Sequence, residues 1–461
     1  MEIVDRAVIK VKEKGRVPPP TRPKSQRDII SMFMIWTMPL QAAPANLLLL
    51  LGDSLSSEAS SLLLALKKAA SQRDVSLYLV GGPVRDLLLA RPLKDLDLAV
   101  EGDAAALARD VAQCLGGKVV LHQRFGTATV AVQGERLDLA TTRRENYPRP
   151  GALPQVVPGS IEEDLTRRDF TVNAMALSLS HPNQGRLLDP VGGLKDLREG
   201  TVRALHPVSF RDDPTRVLRA VRYEQRLTFI IEPKTLGWLR EALDNDALST
   251  VSRDRLRREV SLMLNEERPL ASLIRAGELG VLRNLYPPLG DASHLESLSE
   301  GFGIPGPLFL LAAIAFPLSP PQGEDFNARL NMPRRWATTV RDTISLREAQ
   351  NALETPNLNN VDLCQLLEGH SVDALTALGA LTSSPKLNQR LVLFMDKLRY
   401  VKSLLRGPDL TALGVPAGTL VGKVLSKLKD ARLESRVVSR KDEVNMVKKL
   451  MDKGEASLWK T

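Results

Sequence analysis

The stretch LVGGPVRDLLLARPLKDLDLAV, residues 79–100, decides the fold of this 461-residue chain. A short apolar strand ends at Gly81 and Gly82, and PVRDLLLA (83–90) is typical of a helix that begins at a proline. The alternating residues of KDLDLAV (94–100) predict a second, half-buried strand. Two strands around one short helix indicate an α/β unit here.

This stretch also has the chemistry of a nucleotide site. Backbone N–H groups after the two glycines face one point together with the positive end of the helix, which favours a phosphate, and Arg85 lies one turn further on. Asp95 and Asp97 alternate along the second strand, so both carboxylates leave the same face of the sheet. Adjacent carboxylates repel each other unless cations neutralise them, and oxygen ligands suit Mg²⁺.

Each of these features alone is usually structural, since a Gly-Gly pair is most often a turn and a DxD most often a solvated strand. Their combination within 22 residues is far more specific. A phosphate cradle beside metal-binding carboxylates indicates nucleotidyl transfer, in which two metal ions activate a hydroxyl and stabilise the leaving pyrophosphate.

Further elements extend this unit in both directions. Residues 57–72 and 103–114 have helical periods, and KVVLH, TATVAV and ERLDLA predict three more strands between 117 and 140. After residue 203 only helical periods broken by proline and glycine follow. We therefore predict an α+β protein with a mixed-sheet head and an elongated all-α remainder. The predicted parts are a disordered extension (1–56), the head (57–203), a helical neck (204–285), a helical body (286–405) and a basic helical tail (406–461).

Composition excludes several classes of protein. With 43% hydrophobic and 25% charged residues the chain is neither disordered overall nor a membrane channel, and two cysteines exclude a disulfide scaffold. No GxxxxGK[ST] loop is present, which excludes a P-loop NTPase, and the five histidines form no metal-binding pair. The net charge of +9 is uneven, because residues 401–461 hold thirteen Lys/Arg and seven Asp/Glu.

The chain resembles the class II tRNA nucleotidyltransferase and bacterial poly(A) polymerase family of the DNA polymerase β superfamily. Residues 79–100 match the first motif of that family, and a weaker match covers 409–425. The other matching motifs follow in order: ERLDLATTRRENY (135–147), EEDLTRRDFTVNAMAL (162–177), DPVGGLKDLREGTVR (189–203), RDDPTRVLRAVRY (211–223) and SRDRLRREV (252–260). The resemblance extends from about residue 57 to the end and is strong to 265.

The resemblance implies roles for residues of the head. Asp95 and Asp97 match the magnesium-binding catalytic carboxylates, and Gly82 and Arg85 match positions that hold the incoming triphosphate. Asp138, central in ERLDLA, is either a third carboxylate of the superfamily type or a solvent-facing strand residue.

The motif TRRDFTVNAMAL carries three further matches. Arg168 matches an arginine that contacts the nucleotide, and Asp169 and Asn173 match positions that shape the ribose and metal end. Without the other motifs, this segment would be an ordinary charged helix start.

The segment RDDPTRVLRAVRY predicts a helix with Asp213 and Arg216 on one face. A carboxylate beside a guanidinium can match a base edge that offers an amino group next to a ring acceptor, as cytosine and adenine do. In the resembling family this pair selects CTP and then ATP, and Arg219 and Arg222 match further nucleotide contacts.

These matches predict a cytoplasmic enzyme that adds or repairs the CCA end of tRNA from CTP and ATP with Mg²⁺. A poly(A) polymerase and a CC-only or A-only enzyme remain alternatives, and the Pro- and Gly-rich segment 143–160 is the element expected to govern the switch to ATP. More distant alternatives are an antibiotic-modifying nucleotidyltransferase and a catalytically silent RNA-binding protein. The basic tail predicts contacts with the tRNA body.

Overall fold

The computed structural model describes residues 47–93, 95–122, 126–299 and 306–452. The strands are β1 (Ser76–Val80), β2 (Asp97–Glu101), β3 (Lys118–His122), β4 (Thr127–Val132), β5 (Glu135–Thr141), β6 (Arg143–Asn146), β7 (Gln155–Pro158), β8 (Ala176–Ser178), β9 (Leu187–Leu188), β10 (Thr201–Val202) and β11 (Ile230–Ile231).

Helices dominate the second half of the chain. Those up to residue 264 are α1 (Leu47–Asp53), α2 (Ser57–Gln72), α3 (Gly82–Leu88), α4 (Ala104–Leu115), α5 (Ile161–Thr166), α6 (Gly193–Arg198), α7 (Ser209–Asp212), α8 (Thr215–Leu227), α9 (Pro233–Asp244) and α10 (Arg253–Leu264). The later ones are α11 (Pro269–Glu278), α12 (Val281–Leu285), α13 (Pro307–Ala315), α14 (Pro320–Arg329), α15 (Arg334–Glu348), α16 (Gln350–Glu354), α17 (Asn360–Leu367), α18 (Val372–Leu381), α19 (Pro385–Asp396), α20 (Gly407–Ala412), α21 (Thr419–Leu433) and α22 (Arg440–Asp452). Short 3-10 turns lie at Thr171–Asn173, Ala247–Thr250, Pro287–Leu289, Ser293–Ser299 and Leu398–Tyr400.

A mixed sheet of seven strands forms the centre of the head, in the order β3-β4-β5-β2-β1-β8-β9. β2 and β5 are parallel, and the other neighbours are antiparallel. Helices α2 and α4 pack against this sheet through apolar residues such as Leu66 and Leu107, both 0% exposed. The predicted α+β class and mixed sheet are confirmed. A separate hairpin of β6 and β7 covers segment 143–160.

The N-terminal boundary of the head differs from the prediction. Helix α1 lies inside the predicted extension 1–56, yet Leu47 and Leu51 are 1% and 2% exposed and belong to the main hydrophobic core. The head therefore starts before Ser57, and the extension is shorter than predicted. The rest of that prediction, residues 1–46, lies outside the described residues.

Helices follow the head, as predicted, with one small exception. β11 pairs in parallel with β10, so a two-residue strand lies within the predicted all-helical part. Helix α8 packs against α10 and α11, and α13, α15 and α18 pack on one another further along. The last three helices enclose a separate apolar cluster that includes Leu410, Leu428 and Val447. Within the described ranges, no helix combines the length and the apolar character that a membrane span requires.

Candidate active site

A cleft of about 810 Å³ lies between the head sheet and helices α8 and α10, which belong to the predicted neck. The structure brings all the predicted site residues but one to its walls: Gly82, Arg85, Asp95, Asp97, Arg168, Asp169, Asn173, Asp213, Arg216, Arg219 and Arg222. The exception is Asp138, which lies beside Asp97 on the neighbouring strand but does not line the cleft. Predicted residues from three separate motifs therefore meet in one space.

The turn after β1 depends on a glycine. Gly81 has φ +73° and ψ −127°, a conformation that side chains other than glycine's rarely adopt, and it precedes the first turn of α3. A Cβ placed on it would lie 2.6 Å from Nη1 of Arg168. Glycine therefore lets the Arg168 guanidinium approach the backbone turn that was predicted to hold a phosphate.

The two predicted metal carboxylates flank the start of β2. Asp97 is its first residue, whereas Asp95 lies two residues before it, outside any regular element, so the two do not share the strand as predicted. Across the parallel β2–β5 pair, Asp97 lies opposite Asp138. Desolvation in the cleft and the charges of Asp138 and Asp95 raise the pKa of Asp97, while Arg168 opposes them.

The carboxylates fit a metal that arrives with a nucleotide. Within the described part of the chain, no three His, Cys, Asp or Glu side chains converge to enclose an ion by themselves. Mg²⁺ is usually held by one or two carboxylates together with substrate phosphates. Asp95 and Asp97, both exposed to the cleft, supply that kind of donor set, and the mutual repulsion at Asp97 is what a cation would relieve.

Arg168 lies between these carboxylates and the glycine turn. Its Nη2 donates to Oδ2 of Asp164 at 2.9 Å, and its buried Nε has no hydrogen-bond partner among the described residues. A buried N–H without a partner is costly unless a ligand accepts from it. An incoming phosphate oxygen would satisfy that donor.

Arg85 departs from its predicted role. It is 2% exposed, and it donates to both carboxylate oxygens of Asp86 at 2.9 Å and to Oδ1 of Asn173 at 2.5 Å. Its guanidinium also lies 5.3 Å from the ring centroid of Tyr223. In this structure Arg85 braces α3 against the head and neck rather than presenting an open fork to a triphosphate.

Asp169 joins the head to the neck. Its Oδ2 accepts from Nε and Nη2 of Arg219 at 2.9 and 2.5 Å, and its Oδ1 accepts from Asn173 at 3.1 Å. Burial opposes ionisation of this carboxyl, but Arg219 and Asn173 outweigh it and lower its pKa to about 2. Arg222 is likewise paired, with Glu259 and Glu266, each at 2.8 Å.

The two residues predicted to read the base lie at the start of α8. The helix begins at Thr215, so Asp213 precedes it in extended conformation instead of sharing a helix face with Arg216. Arg216 is 5% exposed and donates to Oγ of Ser209 at 2.6 Å and to the carbonyl of Arg167 at 2.8 Å. The side chains are therefore held separately, and both line the cleft.

Sequence reasoning missed several residues of the cleft, and two of them make contacts that bear on the site. Arg255 of α10 contacts Asp213 at 2.6 Å and the carbonyl of Gly151 in the β6–β7 loop at 2.9 Å. Tyr147 of the same loop donates to Glu145 at 2.9 Å, and burial raises the pKa of its phenol. The motif SRDRLRREV contained Arg255, but only as part of a supporting helix.

Residues 77–203 match the poly A polymerase head domain. Over 415 residues the chain is 33% identical to an A-adding tRNA nucleotidyltransferase of Halalkalibacterium halodurans, covering 88% of this chain and 96% of that protein. It is also 33% identical to an A-adding tRNA nucleotidyltransferase of Geobacter sulfurreducens over 84% of this chain, but it spans only 46% of that longer protein.

Among solved structures, the fold is similar to that of the Thermotoga maritima CCA-adding enzyme in complex with tRNA. The TM-score is 0.70 and the identity 30%, over 87% of this chain and 98% of that one. The family match covers the part of the chain that contains Asp95 and Asp97, and the whole-length matches add the part that contains Asp213 and Arg216. The chain belongs to the class II tRNA nucleotidyltransferase family.

Proposed function

We propose that this protein builds or repairs the 3′ CCA end of tRNA, with CTP and ATP as nucleotide donors. The observation that carries the proposal is the meeting in one cleft of Asp95 and Asp97 from the head with Asp213 and Arg216 from the neck. The first pair supplies the chemistry of nucleotidyl transfer, and the second supplies a base-selecting edge. No nucleic-acid template is needed for that choice.

The reaction joins the terminal 3′-hydroxyl of the RNA to the α-phosphate of the nucleotide, and pyrophosphate leaves. Asp95 and Asp97 would hold Mg²⁺, which when bound favours deprotonation of the hydroxyl and neutralises charge on the phosphates. Arg168 brings Nη1 of its guanidinium beside the Gly81 turn, where the phosphates are expected, and its Nε has no partner among the described residues. The positive end of α3 faces the same region.

Base selection would depend on the atoms of Asp213 and Arg216 that remain available to bind a base. Three donors converge on Oδ1 of Asp213, whereas Oδ2 has no hydrogen-bond partner within the described ranges. That oxygen is available to accept from the exocyclic amino group of cytosine or adenine, and Arg216 donates to the ring acceptor. Uracil and guanine place other groups at these two positions.

The tRNA partner fits the charge of the tail. Lys423, Lys441 and Lys448 are exposed on its helices, and the tail has a hydrophobic cluster of its own. Basic side chains without sequence-reading contacts bind phosphates along an RNA surface. We propose that residues 406–461 contact the tRNA body and that the neck, body and tail have the predicted boundaries. The two cysteines are free thiols, which suits a reducing cytoplasm.

A second candidate is addition of the terminal A alone. It is favoured by the two curated relatives described above, both named A-adding, one of which this chain covers almost completely. In that case a partner enzyme would add the two cytidines.

One experiment separates these functions. The purified protein is offered tRNA ending before CCA, after C or after CC, with CTP, ATP or both. Full CCA addition on the first tRNA supports the primary proposal, whereas incorporation of a single A restricted to the tRNA ending in CC supports the second. Long A tails on an unrelated RNA would indicate a poly(A) polymerase, and no incorporation would indicate a silent RNA-binding protein.

A further inference from the structure

A second groove runs beside the catalytic cleft along helix α10. Its volume is about 350 Å³. It is lined by Arg257, Arg258, Ser261, Leu262, Pro333 and Trp336. Arg258 and Leu262 also line the catalytic cleft. Because these two residues lie one helical turn apart on α10, they form a rim that both spaces share.

The groove carries positive charge. Arg258 is exposed and has no acidic side-chain partner in the described part of the chain. Arg257 differs, since it pairs with Asp254 at 2.9 Å. Unpaired arginines on a surface favour a polyanion, and phosphate contacts of this kind position a nucleic acid without reading its sequence.

Trp336 gives the groove an aromatic wall. Its indole is half-buried, packing against the main hydrophobic core on one side and lining the groove on the other. Leu262, which is 38% exposed, lines the same space. An aromatic ring held in place beside arginines suits an unpaired base, which stacks by its face regardless of its identity.

We propose that this groove binds the unpaired 3′ end of the tRNA just upstream of the reacting nucleotide. One base stacks on Trp336, and an adjoining phosphate contacts Arg258. The strand that carries the reacting hydroxyl must leave the cleft, and the groove adjoins the cleft at Arg258 and Leu262. The charge favours RNA over an acidic peptide because the aromatic wall adds a contact for a base. The inference rests on the proposed function.

The test is a binding measurement that does not depend on catalysis. Affinity is measured by fluorescence anisotropy for labelled tRNA with its unpaired 3′ nucleotides and for the same tRNA trimmed to the paired acceptor stem. Trp336→Leu keeps apolar volume but removes the aromatic face. It should weaken binding of the untrimmed tRNA about tenfold and leave the trimmed tRNA unaffected, whereas Trp336→Phe should bind both as the wild type does.

Arg258 has its own readout and a matched control. Arg258→Ala should weaken binding of the untrimmed tRNA and reduce the salt dependence of that binding. Arg253→Ala is the control, because Arg253 is exposed on the same helix but lines neither the groove nor the cleft. Arg258 is exposed, so its replacement tests the groove even where a change at Trp336 disturbs folding.

Equal affinity of the Leu variant and the wild type for untrimmed tRNA would overturn the proposal, as would a wild type that binds trimmed and untrimmed tRNA equally. Failure of the proposed function has a different signature. In that case the wild type incorporates no nucleotide into any of the three tRNAs, whatever its affinity. If the wild type incorporates nucleotides while Trp336→Leu binds tRNA normally, only the proposed role of the groove is contradicted.

Discussion

Arg255 donates from Nη2 to Oδ1 of Asp213 at 2.6 Å and thereby fixes the carboxylate that we propose selects the base. The backbone N–H and the hydroxyl of Thr215 donate to the same oxygen, at 3.0 and 2.6 Å. Nη1 of Arg255 meanwhile donates to the carbonyl of Gly151. One guanidinium therefore connects Asp213 with the β6–β7 loop, the element expected to govern the change from CTP to ATP.

The first prediction concerns Arg255. We expect Arg255→Ala to let the Asp213 carboxylate rotate, so that its free oxygen no longer has a fixed direction. The KM for the nucleotide should rise, and discrimination between CTP and UTP should fall. The fall should be roughly 10- to 100-fold, which corresponds to the free energy of one hydrogen bond to a charged group. Steady-state kinetics with each nucleotide on tRNA ending before CCA measures both.

Arg253→Ala is the matched control for that variant. Arg253 lies on the same helix, is exposed, and does not line the cleft. Arg255→Lys should recover part of the discrimination because it keeps a donor for Asp213. Unchanged selectivity in Arg255→Ala, with normal folding, would remove Arg255 from the positioning of this carboxylate.

The second prediction concerns Arg216. Since Ser209 and the Arg167 carbonyl hold its guanidinium in place, Arg216 should discriminate by a fixed donor rather than by charge. We expect Arg216→Ala to relax the choice of CTP over UTP while the KM for tRNA stays unchanged. Competition between the two nucleotides on one tRNA measures the ratio directly, and an unaltered ratio would contradict the assignment.

The parts of the site that could be predicted are those that the chain encodes locally. The turn, the helix and the two carboxylates of residues 79–100 lie close together in sequence, so the local pattern was enough to predict them. Other contacts join residues that are far apart in the sequence. Arg255 and Asp213 are 42 positions apart, and Arg85 and Asn173 are 88 positions apart, and no local periodicity encodes such contacts. The apolar run 47–51 carries no alternation, so its packing as helix α1 was missed.

The third prediction separates the carboxylates of the sheet. Asp97→Asn should lower incorporation roughly 1,000-fold, since a metal-ion contribution is worth several kcal/mol, while tRNA binding persists. Asp138 does not line the cleft, and its Oδ1 accepts from Thr129 at 2.6 Å, so it acts on Asp97 through charge. Asp138→Asn should therefore raise the Mg²⁺ concentration for half-maximal activity and keep the rate at saturating Mg²⁺. A loss that saturating Mg²⁺ does not repair would make Asp138 a third metal ligand.

The fourth prediction is a pH dependence of stability from Asp169. Its pKa in the folded protein is about 2, below its unfolded value, because Arg219 and Asn173 outweigh the cost of burial. A lowered carboxyl pKa contributes stability above the unfolded pKa of about 3.9, and that contribution is lost as the pH falls toward 2. It amounts to about 2.6 kcal/mol at neutral pH, roughly half of which is lost by pH 3. Urea unfolding of the wild type and of Asp169→Asn between pH 6 and pH 3 measures it: the gap in unfolding free energy should shrink by about 1 kcal/mol. A gap that is constant over this range would mean that the ion pair with Arg219 does not set the pKa of Asp169.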